Sequence, residues 1–234
     1  MAAPTPLEKC IESLIEIFHR YADVDKDGTS LSKKEFKTLV ETELPNFMKA
    51  QKNPKLVSEM MSDLDMNKDQ KVDFVEFLAL INGLSMTCEK LASMKEKKGK
   101  KGDARDTVGP VTDGFKAFDE DPMVNYSCAG RVTMAAPTPL EKCIESLIEI
   151  FHRYADVDKD GTSLSKKEFK TLVETELPNF MKAQKNPKLV SEMMSDLDMN
   201  KDQKVDFVEF LTLINGLSMT CEKLASMKEK KGKK

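Results

Sequence analysis

Oxygen-bearing side chains alternate along one stretch of the chain, DMNKDQKVDFVE, from Asp65 to Glu76. The candidate ligands are Asp65, Asn67, Asp69, the carbonyl of Lys71, Asp73 and Glu76. Calcium is a hard cation that takes six to eight oxygen ligands, and this spacing is the one with which EF-hand loops surround it. The stretch therefore predicts a calcium site, and the alternative is an acidic loop that is merely solvated.

Two further positions of this loop carry expectations of their own. Gln70 stands at the sixth position, where EF-hand loops usually have glycine. We expect a positive φ there, at a cost of about 1 kcal/mol for a residue with a Cβ. Val72, at the eighth position, is expected to pair with an apolar residue of a neighbouring loop. The site is thus predicted to be weakened and not lost.

A second candidate loop, DVDKDGTSLSKKE from Asp23 to Glu35, does not fit the same register. Counted from its first aspartate, the twelfth residue is Lys34, a cation that cannot ligate calcium. Leu31 nevertheless precedes the final glutamate by four, as the apolar residue of the other loop does. The C-terminal half is therefore intact, and counting back from that glutamate gives a fourteen-residue loop that begins at Ala22.

The chain contains two nearly identical copies of one module. Residues 1–101 return as residues 134–234 with an offset of 133, and the single difference is Ala79 in the first copy against Thr212 in the second. Each copy is long enough for a core of its own, so we predict two domains with these limits.

The stretch between the copies, residues 102–133, matches neither of them. It contains Gly, Pro, Asp and scattered aromatic residues without helical or strand periodicity, which predicts a flexible linker. One interpretation is a tether that keeps the two domains together. The other is a remnant of joining two reading frames.

Four helices are predicted in each copy. Thr5–Glu8 and Ser32–Glu35 form capping boxes that start the first two, and Pro45 stops the second. Asn53–Pro54 starts the third, and the fourth begins near Phe74. The fold class is therefore all-α, with two EF-hand-pair domains of four helices each. The first and last helices are apolar over a wider arc than a small core requires, which favours a pairing face.

The composition narrows the class of protein. Charged residues make up 33% and hydrophobic residues 40%, with a net charge of −3, so nothing indicates a nucleic-acid partner. No apolar run approaches a membrane span, and no signal sequence precedes the first copy, so we expect a cytoplasmic protein, with the nucleus and signal-independent secretion left open. Two equivalently placed histidines and the lack of a phosphate loop or nucleophile motif predict that it is not an enzyme.

The cysteines are odd in number and lack CxxC spacing, which is typical of reduced thiols. Four are expected to be packed, namely Cys10, Cys88, Cys143 and Cys221. Cys128, in the linker, is expected to be the thiol most exposed to oxidation.

A fourteen-residue first loop, a standard second loop, the hinge LPNFMKAQKNP and a long apolar last helix together resemble the S100 family of small dimeric EF-hand proteins. The segments CIESLI, LSKKEF, TELPNF and DFVEFLALINGL carry the resemblance, which covers residues 5–92 and 138–225.

The resemblance implies that the first loop binds Ca²⁺ mainly through backbone carbonyls, together with its final glutamate. In this sequence those ligands are Ala22, Asp25, Asp27, Ser30 and Glu35. Few charged ligands imply weaker binding than in the second loop. The acidic run also leaves open a hybrid loop whose aspartate side chains ligate directly. By the offset, the second copy contributes Ala155, Asp158, Asp160, Ser163, Glu168, Asp198, Asn200, Asp202, Lys204, Asp206 and Glu209, for four sites in all.

The resemblance also implies a calcium sensor and adaptor. Calcium would reorient the third helix and uncover an apolar groove for amphipathic helices of target proteins, annexin N-termini among them. The candidate groove residues are Leu44, Phe47, Met48, Phe77, Leu80, Ile81, Leu84 and Met86. A calcium buffer that binds without opening is the alternative.

Pairing and membrane contact complete these expectations. Family members pair through their first and last helices, so the chain could form a pseudo-dimer, copy against copy, or a homodimer between chains. The lysine-rich ends, MKEKKGKK, are expected to be solvated, with any membrane contact indirect or weak.

Overall fold

The computed structural model describes seven segments of the chain: residues 3–22, 28–50, 55–99, 136–155, 157, 161–183 and 188–232. The predicted linker, residues 102–133, lies outside them.

Helices dominate the described segments, and two short strands per copy interrupt them. Copy 1 contains α1 (Pro6–Ala22), β1 (Ser30–Ser32), α2 (Lys33–Glu43), α3 (Pro45–Ala50), α4 (Leu56–Leu64), β2 (Lys71–Asp73) and α5 (Phe74–Gly99). Copy 2 contains α6 (Pro139–Ala155), β3 (Ser163–Ser165), α7 (Lys166–Glu176), α8 (Pro178–Ala183), α9 (Leu189–Leu197), β4 (Lys204–Asp206) and α10 (Phe207–Gly232). The predicted all-α class is confirmed.

Both predicted capping boxes form. The Thr5 hydroxyl accepts the backbone N–H of Glu8 at 3.2 Å, and the Glu8 carboxylate accepts the N–H of Thr5 at 3.2 Å. Ser32 and Glu35 are bonded in the same reciprocal way at the start of α2. Each pair satisfies two N–H groups that a helix start would otherwise leave without an intrahelical acceptor.

The hinge carries a short helix that the apolar pattern did not indicate. Leu44 leaves the helical region, with φ −127° and ψ 45°, and so ends α2 before Pro45, as predicted. Pro45 then becomes the first residue of α3, a position where its missing N–H is harmless.

The chain divides into two compact units whose limits differ from those of the repeat. One unit joins Met1–Ile17 to Lys142–Lys234, and the other is Phe18–Glu141. Helix α1 therefore begins in the first unit and ends in the second. The domain limits drawn from the repeat stay a prediction.

Aromatic packing fixes the helices that flank the loops. In the second unit, the ring of Phe18 lies 5.1 Å from that of Phe74 and 5.5 Å from that of Phe77, measured between centroids. In the first unit, Phe151 packs in the same way on Phe207 and Phe210, at 5.2 Å and 5.6 Å. These contacts hold the end of α1 against the start of α5, and the end of α6 against the start of α10. They therefore set the positions of two loop boundaries in each copy.

Three of the four cysteines expected to be packed are buried, namely Cys10, Cys88 and Cys143. The expectation was wrong for Cys221, which is exposed. Leu224, three residues further along α10, is also 55% exposed, so this part of the helix faces solvent. Cys128 lies outside the described residues.

Candidate calcium-binding loops

A two-stranded antiparallel ladder joins the two loops of copy 1. Leu31 of β1 pairs with Val72 of β2, and both side chains are fully buried. The predicted pairing of Val72 with an apolar residue of the neighbouring loop is confirmed. Copy 2 repeats the arrangement with Leu164 and Val205. The ladder joins the C-terminal halves of both loops. We therefore expect a displacement of one loop to be transmitted to the other.

The first half of the second loop is folded around its own side-chain oxygens. The carboxylate of Asp65 accepts the N–H groups of Asp69 at 3.0 Å and Gln70 at 2.9 Å. The side-chain oxygen of Asn67 accepts the N–H of Asp69 at 2.9 Å, and the Asp69 carboxylate accepts that of Lys71 at 2.8 Å. The side-chain oxygens at the first, third and fifth positions therefore all lie beside the backbone of residues 69–71, and the ligand spacing predicts that they lie close together.

Two residues of this turn have left-handed backbone conformations. Gln70 has φ 64°, which confirms the positive φ predicted at the sixth position. Lys68 has φ 61°, and sequence reasoning missed it because lysine gives no signal for that conformation. Gly28 of the first loop has φ 66°, where glycine carries no Cβ penalty.

The buried carboxylate of Glu76 closes the second loop, and it is only 3% exposed. One oxygen accepts the N–H of Met66 at 2.9 Å, and the other accepts the N–H of Asp73 at 3.0 Å. Asp73 in turn accepts the N–H of Glu76 at 2.9 Å, which caps the start of α5. The twelfth position therefore contacts both the beginning and the end of the loop.

The second loop of copy 2 has the same geometry. The carboxylate of Asp198 accepts the N–H of Asp202 at 3.0 Å, that of Glu209 accepts the N–H of Met199 at 3.0 Å, and Gln203 has φ 64°. The predicted ligands Asp198, Asn200, Asp202, Lys204, Asp206 and Glu209 all lie within this loop.

The carboxylates of Asp65, Asp69 and Glu76 in the second loop are held by backbone N–H groups. Within the described segments, no group of three or more Asp, Glu, His or Cys side chains has the arrangement of a metal site. The second loops instead present carboxylate and amide oxygens on a preformed turn. Each of these oxygens has more than one lone pair, and such an oxygen set suits a hard cation.

The first loops are described at their two ends. The carbonyl of Ala22, at the end of α1, accepts the N–H of Gly28 at 3.3 Å, and Ser30 lies buried in β1. Glu35 is buried at the start of α2, where it accepts the N–H and hydroxyl of Ser32. The predicted ligands Asp25, Asp27, Asp158 and Asp160 lie outside the described residues. In copy 2, Ala155, Ser163 and Glu168 occupy the equivalent positions.

A buried carboxylate beside the hinge was not foreseen. Glu43, the last residue of α2, is 3% exposed and accepts the hydroxyl of Tyr21 at 3.1 Å and the guanidinium of Arg20 at 3.4 Å. Burial, followed by the negative charge of Glu43 and the hydrogen bond to it, raises the pKa of Tyr21. Tyr21 belongs to no motif, and the segment TELPNF gave no indication of a partner for Glu43, so only their contact reveals the pair.

The candidate groove residues are mostly covered in this conformation. Six of the eight are buried, namely Leu44, Phe47, Phe77, Leu80, Ile81 and Leu84. Met48 and Met86 are half-buried. Their role in target binding stays a prediction, and it requires a change that exposes them.

Comparison with known proteins decides the family. A family model described as S-100/ICaBP type calcium binding domain matches residues 7–51 and again residues 140–184. Protein S100-A11 of Gallus gallus is 49% identical over 90 residues, which cover 38% of this chain and 89% of that protein. The chain belongs to the S100 family. The S100-A11 proteins of Oryctolagus cuniculus and Homo sapiens are each 49% identical over 88 residues, which cover 38% of this chain and 86% and 84% of those proteins.

Membership of the S100 family confirms the resemblance found in the sequence, and it identifies Ca²⁺ as the ligand of the chain. The double match also confirms that the S100 module is present as a tandem repeat. Each copy of this S100 chain therefore contains a calcium-binding domain of the family, which supports a role as a calcium sensor.

Proposed function

We propose that this S100 chain is a calcium-dependent adaptor. Calcium in the loops turns α4 and α9, the third of the helices expected in each copy, and opens an apolar groove that docks amphipathic helices of target proteins. The single observation that carries the proposal is the position of Asp65, which is the C-cap of α4 and is also the first predicted ligand of the second loop.

Through Asp65, an ion bound in the loop would be connected directly to the end of α4. Its N–H still bonds the carbonyl of Met61 at 3.0 Å, so the residue continues the helix backbone, while its carboxylate lies in the loop. An ion that draws this carboxylate toward Glu76 therefore turns the end of the helix. Asp198 holds the same position at the end of α9.

Helix α4 is well suited to move. It has nine residues, and Lys55 at its start provides no side-chain cap, whereas α2 begins with a complete capping box. A short helix has little stability of its own and depends on its packing. Its short length and the lack of a side-chain cap from Lys55 therefore favour movement of α4 over movement of α2.

Moving α4 would expose the groove, because α4 contributes buried apolar side chains that pack against α5. Leu56, Met60, Met61 and Leu64 are buried on α4. The candidate groove residues on α5 include Phe77, Leu80, Ile81, Leu84 and Met86. Two of the groove residues are methionines, whose flexible and polarizable side chains adapt to different apolar partners.

The expected partner is an amphipathic helical segment, for which annexin N-termini provide one example. Such a segment presents apolar residues on one face, which a groove of Leu, Phe, Ile and Met accommodates. No described helix combines the length and apolarity needed to cross a bilayer. We further propose that the protein acts in the cytoplasm. Its proposed activity is the binding of calcium and of helical target segments, without an enzymatic reaction.

A peptide-binding titration tests the proposal. The probe is a fluorescent amphipathic helical peptide, measured by anisotropy against the full chain with and without calcium, beside a hydrophobic dye. We expect dye fluorescence and peptide binding only with calcium. Calcium binding by calorimetry without a dye or peptide response would overturn the adaptor function and favour a calcium buffer.

A matched pair of variants locates the groove. Met86→Ala with Met219→Ala removes half-buried side chains from α5 and α10, and we expect weaker peptide binding at unchanged calcium affinity. Val75→Ala with Val208→Ala is the control, because these valines are 45% and 43% exposed on the same helices and lie outside the proposed groove. Equal effects of the two pairs would contradict the assigned face.

A further inference from the structure

The hinge of copy 2 is held by the first helix of copy 1. Within the unit formed by Met1–Ile17 and Lys142–Lys234, the carboxylate of Glu8 accepts the backbone N–H of Asn179 at 3.2 Å and its side-chain amide at 2.9 Å. The hydroxyl of Thr5 donates to the carbonyl of Glu176 at 2.5 Å. Asn179 belongs to α8, and Glu176 is the last residue of α7, so these bonds span the hinge between the two helices.

The reciprocal contact holds the hinge of copy 1. Within the unit Phe18–Glu141, the carboxylate of Glu141 accepts the backbone N–H of Asn46 at 3.1 Å and its side-chain amide at 2.8 Å. The hydroxyl of Thr138 donates to the carbonyl of Glu43 at 2.5 Å. We call each set of four residues a hinge clamp. The sets are Thr5, Glu8, Glu176 and Asn179, and Thr138, Glu141, Glu43 and Asn46.

The clamps satisfy groups that the hinge alone leaves open. The last carbonyls of a helix and the first N–H groups of the next have no intrahelical partner, and here the other copy supplies one for each. A carboxylate that accepts two N–H groups forms a charge-assisted, directional contact. Each hinge is therefore incomplete without the first helix of the other copy.

The helix that carries a clamp also carries a calcium loop. Helix α1 has 17 residues, about 25 Å of helix, with Glu8 in its first turn and Ala22 at its end. Ala22 starts the first loop of copy 1, and Phe18 anchors this end of the helix on Phe74. One stiff element thus connects the loop of copy 1 to the hinge of copy 2, and α6 makes the opposite connection from Ala155 to Glu141.

We propose that α1 and α6 couple the calcium loops of each copy to the hinge of the other, so that calcium in one half lowers the concentration needed to open the second. This inference rests on the proposed opening of the groove. The clamps are formed in the conformation in which six of the eight candidate groove residues are buried. Coupling requires an interaction that differs between two states, and a hinge that moves must strain or break its clamp.

The test measures the calcium response of the hinge of copy 2 in chains whose copy 1 loops are altered. Because the two hinges are identical in sequence, we would label copy 2 alone with ¹⁵N, by ligating two segments within residues 102–133 of the full chain. The readout is the backbone amide signal of Asn179 during a calcium titration. The altered chain carries Glu35→Gln and Glu76→Gln, which weaken both loops of copy 1, and glutamine keeps the capping boxes.

We expect disabling the loops of copy 1 to raise the calcium midpoint of the Asn179 signal at least threefold. Adding Glu8→Gln, which weakens the clamp, should reduce that difference to less than 1.5-fold, whereas Glu16→Gln, at an exposed site on the same helix, should leave it intact. An unchanged midpoint when copy 1 is disabled would overturn the coupling. If no amide of copy 2 responds to calcium in any chain, the adaptor function itself fails.

Discussion

The Oε1 atom of Glu76 accepts the backbone N–H of Met66 at 2.9 Å, so the last residue of the second loop reaches back to its second residue. The other carboxylate oxygen of Glu76 bonds the N–H of Asp73. The side chain predicted to be the bidentate ligand is therefore already held inside the loop, between its two ends. We therefore expect that side chain to need little rearrangement to ligate a cation.

Replacing this glutamate in both copies removes the stronger class of sites. We expect the wild-type chain to bind four ions with two apparent affinities, and Glu76→Gln with Glu209→Gln to lose the tighter class, because a neutral amide cannot act as a bidentate carboxylate. Isothermal titration calorimetry of both proteins measures this. Four equal affinities in the wild type would instead favour first loops that ligate through aspartate side chains.

Glycine at the sixth loop position should stabilise the loop. Gln70→Gly with Gln203→Gly relieves the cost of φ 64° at two residues, and we expect about 1 kcal/mol of added stability per loop, together with tighter calcium binding. Urea unfolding and calorimetry measure the two effects. Glu16→Gly is the control, since glycine inside a helix should cost about 1 kcal/mol. A loss of stability at the loop positions would refute the strain argument.

Truncating the ladder should cost stability and weaken both loops of a copy. Leu31→Ala removes a fully buried side chain that pairs with Val72, and a loss of about 2 to 5 kcal/mol is expected from such changes. Urea unfolding gives the cost, and calcium titration should show that both sites of copy 1 bind more weakly. Val75→Ala, at a 45% exposed site, should change stability by less than about 0.5 kcal/mol. If only one loop bound calcium more weakly, the ladder would not couple the calcium affinities of the two loops.

The contacts of Tyr21 and Tyr154 predict a loss of stability in alkali. Burial and the neighbouring glutamates raise the pKa of both phenols above their ordinary value of 10.0, so the folded chain keeps these protons longer than the unfolded chain does. The free energy of unfolding should therefore fall as pH rises from about 10.0 through the folded pKa. Urea unfolding at a series of alkaline pH values measures the slope.

Tyr21→Phe with Tyr154→Phe serves as the comparison for that slope. Phenylalanine keeps the ring and removes the proton that the tyrosine hydroxyl donates to Glu43 or Glu176. The double variant should lose less stability than the wild type over the same alkaline range. Parallel pH profiles would assign the alkaline loss to other groups, such as the lysines.

Local patterns proved reliable wherever neighbouring residues determine the outcome. The ligand spacing from Asp65 to Glu76 predicted the loop, and the residue at its sixth position predicted the positive φ of Gln70. The two capping boxes and the break at Leu44 also followed from a few adjacent residues. All of these depend on bonds spanning at most one loop, so the same sequence gives the same result in both copies.

The sequence by itself therefore determined the family, the repeat, the calcium loops and the apolar pairing of Leu31 with Val72. Only the tertiary structure decided which first helix completes which hinge, through Glu8 on Asn179 and Glu141 on Asn46. Two nearly identical copies carry identical clamp residues, so no local pattern can distinguish a partner in the same copy from one in the other. The choice is made by packing between segments that lie far apart along the chain.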